Sequence, residues 1–163
     1  MNDRTGVKES ELQLVVFTIE GQEFALHIAS VREIIHISKL VVLPDTPLAM
    51  VGIINVRGTV LPIIDLGRRF SLKQKTEQDF AAQKVLLVEM EDSMIGYLVD
   101  NVSEVLQVPG SSLNPFQKLS GSDSGFIDSI CNLEGRLIPV IDSDKLLTGK
   151  ETEQLESLAK EEI

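Results

Sequence analysis

The chain states one pattern twice, and that repeat limits what it can fold into more than any other feature. Ile53-Ile54-Asn55-Val56-Arg57-Gly58-Thr59-Val60-Leu61-Pro62-Ile63-Ile64-Asp65 returns as Ile130-Cys131-Asn132-Leu133-Glu134-Gly135-Arg136-Leu137-Ile138-Pro139-Val140-Ile141-Asp142, at an offset of 77 residues (130 − 53). Upstream, residues 24–35 align with residues 95–106 at an offset of 71 (95 − 24), which sets Val31, Glu33 and Ile34 on Val102, Glu104 and Val105. The second copy therefore carries six extra residues (77 − 71), assigned to the Gly/Ser/Asp-rich stretch 120–125. One architecture is used twice. Each copy, at about 65 to 70 residues, buries too little surface to be comfortably stable alone, so the expected solution is two half-domains packed on one another.

Within each copy, short runs of β-branched and aromatic residues alternate with turn residues. Residues 12–19, 23–28, 31–37, 53–56 and 59–66 read as strands in the first copy. Residues 84–91, 94–99, 102–108, 127–133 and 136–142 read as strands in the second. Residues 29–30 suit a short helical turn, and residues 41–43 a short extended piece closed by Pro44. Thr46 and Pro47 suit the cap and first position of a helical turn over 47–51. Arg57-Gly58 makes a hairpin turn in which glycine supplies positive φ. Pro62 has no N–H to give a ladder, so its strand either lies at an edge or carries a bulge, and Pro139 repeats the feature. About five short strands per copy, with no long βαβ pattern, predict a mainly β protein of two packed five-stranded β-barrels. The halves are 12–71 and 84–147, separated by polar residues 72–83, and either close separately or exchange strands. Residues 1–11 and 148–163 are expected to be flexible or helical ends, with a C-terminal helix from Lys145 onward.

The net charge of −10 argues against nucleic acid and against anionic membrane surfaces, both of which require basic patches. Cys131, the single cysteine, sits in an apolar run at the position of Ile54, which makes it a small buried hydrophobe in a reducing compartment. The N-terminal residues have no apolar signal core, and no apolar run is long enough to span a bilayer. A cytoplasmic protein is expected. His27 and His36 form no ligand set with the cysteine or a carboxylate cluster. No phosphate loop or nucleophile elbow is present either. Asp65 and Asp142 each end a strand, where an aspartate commonly accepts from local backbone donors. No enzyme, cofactor or metal is expected.

Several stretches carry a family likeness: Phe17-Thr18-Ile19 before Gly21, Phe24-Ala25-Leu26-His27-Ile28, Val31-Arg32-Glu33-Ile34-Ile35, and Leu43-Pro44-Asp45-Thr46-Pro47. Residues 52–66 are the most specific, and Gly96-Tyr97-Leu98-Val99-Asp100 with Val102-Ser103-Glu104-Val105-Leu106 complete the set. In this order they resemble CheW, the coupling protein of bacterial chemotaxis, over residues 12–147. The resemblance implies two SH3-like barrels and a non-enzymatic adaptor at receptor arrays beneath the inner membrane. Its implied partners are the cytoplasmic tip of a methyl-accepting chemoreceptor and the regulatory domain of a CheA-type histidine kinase. An adaptor of another chemosensory pathway, such as twitching motility or second-messenger control, is the alternative. Gly67 stands where the family often has arginine, and His36 replaces a residue that is usually small or uncharged.

By matching position, the receptor-binding candidates are Val31, Glu33, Arg57, Gly96, Val102 and Val105. The kinase-binding candidates are Met50, Val51 and Gly52. Glu33 and Arg57 are expected to pair. Their equivalents, Glu104 and Glu134, are both acidic, so the pair is not expected to recur. A pair confined to one copy points to a binding surface, whereas the plain structural alternative is an exposed salt bridge. Val31, Val102 and Val105 line either an apolar groove for a receptor helix or the ordinary core. Gly96 either admits a close backbone or relieves crowding inside a barrel. Met50, Val51 and Gly52 form either a partner-facing edge or a loop packed under the barrel.

Overall fold

The computed structural model describes residues 11–37, 39–44, 49–72, 82–90, 93–116 and 124–146. The chain runs β1 (Glu11–Ile19), β2 (Gln22–His27), β3 (Val31–His36), β4 (Met50–Val56), β5 (Thr59–Asp65), a four-residue helix α1 (Leu66–Arg69), β6 (Lys84–Glu89), β7 (Met94–Val99), β8 (Asn101–Pro109), β9 (Leu113–Pro115), β10 (Ile127–Leu133) and β11 (Arg136–Ile141). Single 3-10 turns fill Ile28–Ser30, Gly110–Ser112, Ser124–Phe126 and Ser143–Lys145. The six-residue insertion falls largely, and the tail beyond Leu146 wholly, outside the described residues. So do Thr46 and Pro47 and most of the polar stretch between the halves.

The strands form two sheets, ordered β8-β1-β2-β11-β10-β9 and β3-β6-β7-β5-β4. Shifting by the repeat maps one onto the other: β3 on β8, β6 on β1, β7 on β2, β5 on β11, and β4 on β10. The sixth strand β9, which pairs Asn114 with Ile130, is reduced in the other sheet to the single bridge Val41–Ile53. This is the two-barrel, mainly β architecture, with one sheet of six strands and one of five. Each sheet is built from both halves. The β1–β2 hairpin joins strands of the second half, and β6–β7 joins strands of the first. We call the β3-β4-β5-β6-β7 sheet barrel A and the other barrel B.

The irregularities repeat too. Val51 and Asp128 (128 − 51 = 77) are each the extra residue of a bulge, as are Arg32 and Ser103 (103 − 32 = 71). The prolines lie on interior strands, not edges. Pro62 pairs with Ile53 and Pro139 with Ile130, and the parallel ladders to β7 and β2 begin one residue later, at Ile63 and Val140. Neither ladder therefore needs the missing N–H. Residues 50–51 begin strand β4 and are not helical, which corrects the helical turn expected over 47–51.

Three cores result. Leu14, Val16, Ala25, Ile138 and Val140 fill barrel B, while Val51, Ile54, Leu61, Ile63, Val85, Leu87 and Leu98 fill barrel A. Val15, Phe17, Leu26, Met50, Ile64, Leu66, Leu86, Val88 and Tyr97 pack between the barrels. Alternate residues of β1, β6 and β7 thus serve different cores. This is why those strands read as continuous apolar runs instead of an apolar/polar alternation. Each fully buried large apolar side chain contributes about 1.5–3 kcal/mol, so the central core holds the barrels together.

Candidate functional site

Arg57 sits at the tip of the β4–β5 hairpin with φ 50°, beside Gly58 at 88°. Two successive positive φ values are what a tight two-residue hairpin turn requires. Asn55 fixes the turn by accepting the Gly58 N–H at 2.9 Å. From this tip Arg57 reaches Glu33 on β3 with a two-pronged contact, Nη1 at 3.2 Å and Nη2 at 2.5 Å from the two carboxylate oxygens. The hydrogen bonds from Arg57 hold the Glu33 carboxyl below its ordinary value, and Glu33 in turn raises the guanidinium. Sheet order places β3 and β4 at opposite ends of barrel A, so the pair ties the two ends together across the opening.

The second barrel has its own clasp, contrary to expectation. Glu134 does hold the turn position of Arg57, but Arg136, two residues on, supplies the cation. It meets Glu104 on β8 and Glu23 on β2, each at 2.6 Å. Arg136 lowers the Glu23 carboxyl through its hydrogen bonds, and the two carboxylates raise Arg136. The ion pair therefore recurs with its arginine displaced along the hairpin. Only the hairpin-tip version, with Arg57 largely exposed, is confined to barrel A.

The remaining candidates separate into groups. Val31 and Val102 are half-buried and pack against the central core from equivalent places, each just after the chain passes from one barrel to the other. Val105 is 49% exposed, and its repeat equivalent Ile34 is 41% exposed. Both lie on β3 or β8, each the terminal strand of its sheet. Ile34 was not singled out from the sequence, although its alignment with Val105 would have found it. Gly96 is inside barrel A. A Cβ there would lie 2.5 Å from Ile63 Cδ1 and 2.7 Å from Val85 Cγ1, so the glycine relieves crowding.

Met50 is buried in the central core and Val51 in barrel A. Gly52 lets residues 39–44 cross close over β4, since a Cβ would strike the Val41 carbonyl oxygen. This edge offers two exposed large apolar side chains, Val41 and Val42, with Lys39 and Pro44 exposed beside them. Asp65 and Asp142 accept the N–H of Gly67 and Asp144 at 2.9 and 3.0 Å, capping the turns that follow β5 and β11. Burial raises the Cys131 thiol. Among the described residues no group of three or more His, Cys, Asp or Glu is placed to hold a metal ion, and no helix is long and apolar enough to cross a membrane.

The arrangement offers an ion-paired hairpin tip and apolar side chains on terminal strands. A family model described as the CheW-like domain matches residues 13–151. The chain belongs to the CheW-like family. It is 34% identical over 149 residues to a probable chemotaxis protein CheW of Rhizobium etli, covering 90% of this chain and 94% of that protein. It is 29% identical over 143 residues to the chemotaxis protein CheW of Bacillus subtilis, covering 87% and 90%. The crystal structure of the scaffolding protein TtCheW from Thermoanaerobacter tengcongensis matches with a TM-score of 0.73 at 28% identity, over 81% of this chain and 89% of that one. The CheW-like fold of two SH3-like barrels accounts for both sheets and for the repeat.

Proposed function

We propose that this chain is a non-enzymatic chemotaxis adaptor that couples the cytoplasmic tips of methyl-accepting chemoreceptors to the regulatory domain of a CheA-type histidine kinase. The observation that carries this reading is the CheW-like match over residues 13–151, which spans both barrels. The names of the relatives, chemotaxis protein and scaffolding protein, support it. The receptor surface we assign comprises Val31, Glu33, Arg57, Val102 and Val105, to which we add Ile34. Gly96 acts behind it by shaping barrel A. The kinase surface lies at the edge shaped by Met50, Val51 and Gly52, where Val41 and Val42 are exposed apolar residues. The mechanism is positional: a receptor change biases the kinase through contacts that differ between two states. Weak individual links suffice where many act together in an array.

Calorimetric titration with the regulatory domain of a CheA-type kinase from the same genome tests the reading. Saturable binding is the expected result. Failure of every such domain in that genome to bind would sink the kinase coupling and leave the fold untouched. A receptor-tip fragment titrated in parallel tests the other half, with Arg57→Ala expected to weaken it in a protein that remains folded.

A further inference from the structure

Among the described residues the chain passes between barrels at two places, which the repeat makes equivalent. From β2 in barrel B to β3 in barrel A it passes through the 3-10 turn Ile28–Ser30, none of whose residues is buried and whose cap residue His27 gives it no side-chain hydrogen bond. From β7 in barrel A to β8 in barrel B it passes through one residue, Asp100, at the place of Ala29 (100 − 71). The second crossing is tied down. The Asp100 N–H donates to the Thr18 carbonyl at 3.0 Å. One carboxylate oxygen accepts the Glu20 N–H at 2.8 Å, in the turn of the β1–β2 hairpin of barrel B. The other accepts from Gln83 Nε2 at 3.2 Å. Gln83 is buried at the entrance to β6 of barrel A and also donates to the Val99 carbonyl at 3.4 Å. Glu20 has φ 52°, a left-handed conformation uncommon for a non-glycine residue, so its amide is fixed at a position with a backbone cost of its own.

We propose that Asp100 is the pin that sets the angle between the two barrels. One carboxylate holds a backbone amide of one barrel and a buried amide side chain of the other. An aligned hydrogen bond to a charged acceptor is worth more than a neutral one, so this crossing resists rotation. The equivalent crossing, with alanine in place of the carboxylate, shows no such tie among the described residues and is the compliant side. Val31 follows the first crossing directly and Val102 lies two residues past Asp100, so a change of angle alters how the chain flanking the central core is presented.

Asp100→Ala tests this, with Asp100→Asn and Gln83→Leu as partners should the alanine variant not fold. Spin labels at Thr59→Cys in barrel A and Gln107→Cys in barrel B report the distance between barrels, since both sites are exposed and the native Cys131 is fully buried. The expected result is a broader distance distribution and a Glu20 amide exchanging about tenfold faster, while strand amides inside each barrel keep their protection. Gln83→Leu broadens the distribution without releasing Glu20, because only the barrel A side is cut. An unchanged distribution overturns the proposal. So does simultaneous loss of protection in both barrels, which would make Asp100 a residue of general stability and not of angle.

Discussion

Arg57, in a left-handed turn at the tip of one hairpin, grips both carboxylate oxygens of Glu33 on the strand at the far end of the same sheet. The contact spans the two terminal strands of barrel A and yet lies in solvent, with the arginine 70% exposed. A pair so placed adds little to stability, because water and salt screen it. Its consequence is positional: it fixes two charged groups side by side on the surface. Arg57→Ala is therefore expected to leave the melting temperature close to that of the parent while weakening the receptor-tip complex. The charge-swapped double variant, Glu33→Arg with Arg57→Glu, separates the two effects. If the partner reads only the geometry of the hairpin, the swap restores binding. If it reads the charges, the swap does not, and calorimetry on the two single and one double variant gives the coupling directly.

The barrel B clasp makes stability depend on acid in a defined direction. Glu23 is held below the ordinary value of 4.5 by hydrogen bonds from Arg136. A carboxyl whose folded value is depressed stabilises the fold fully above the unfolded value. That contribution is lost as pH falls through the depressed one. Denaturation midpoints recorded from about pH 7 down to about pH 3 should fall for the parent, and less steeply for Arg136→Met, in which Glu23 has lost its donors. Convergence of the two curves toward low pH is the signature. Parallel curves would mean that Arg136 contributes packing and not charge.

The repeat, the strands and the two-barrel class are legible because β-branched runs and a doubled Asn-x-x-Gly hairpin are local patterns. What escaped the sequence reading depends on contacts distant in the chain. Arg136 stands two residues from the turn position that aligns with Arg57, so alignment paired the wrong residues. Only the fold shows that the side chain can still reach Glu104 and Glu23. Met50 and Val51 looked like the end of a helical turn because Thr46 and Pro47 are good helix starters, but the central core and barrel A bury them as a strand. Strand β9 and helix α1, of three and four residues, are too short to show a period. For the surface, the difference between Val105 and an ordinary core valine is whether another strand covers it, and no local pattern records that.

Gly96 separates packing from recognition. Its equivalent in barrel B is Ala25 (96 − 71), which fits a methyl group where barrel A has none to spare. Gly96→Ala pushes a Cβ against Ile63 and Val85, both completely buried, and is expected to cost about 1–3 kcal/mol by overpacking. Val85→Ala in the same molecule removes one of the two branched obstacles and should recover part of that loss. Urea denaturation of the single and double variants checks it. Any fall in partner affinity that tracks this loss of stability belongs to the barrel wall and not to a contact made by residue 96.

Phe70 joins what the strand exchange has crossed. It follows helix α1 and packs between two rings, tilted by 43° against Phe24 of β2 at 5.0 Å and stacked on Phe126, just ahead of β10, at 4.6 Å between ring centroids. Next to it, Arg69 lies 5.6 Å from the Phe126 ring and donates its Nε–H to the Leu146 carbonyl at 2.7 Å. The segment that follows β5 of barrel A is thus fastened to barrel B by an aromatic side chain with a cation at its flank. Phe70→Ala should cost about 3 kcal/mol, the low end for a phenylalanine because the ring is only half-buried. Phe70→Leu restores much of the apolar volume without the stacking and should retain a deficit of about 1 kcal/mol. The denaturant slope discriminates further. An unchanged slope means the barrels still unfold as one unit, whereas a lower slope in Phe70→Ala means they have begun to unfold separately. The second outcome would make this stack, and not the central core alone, the element that couples the barrels.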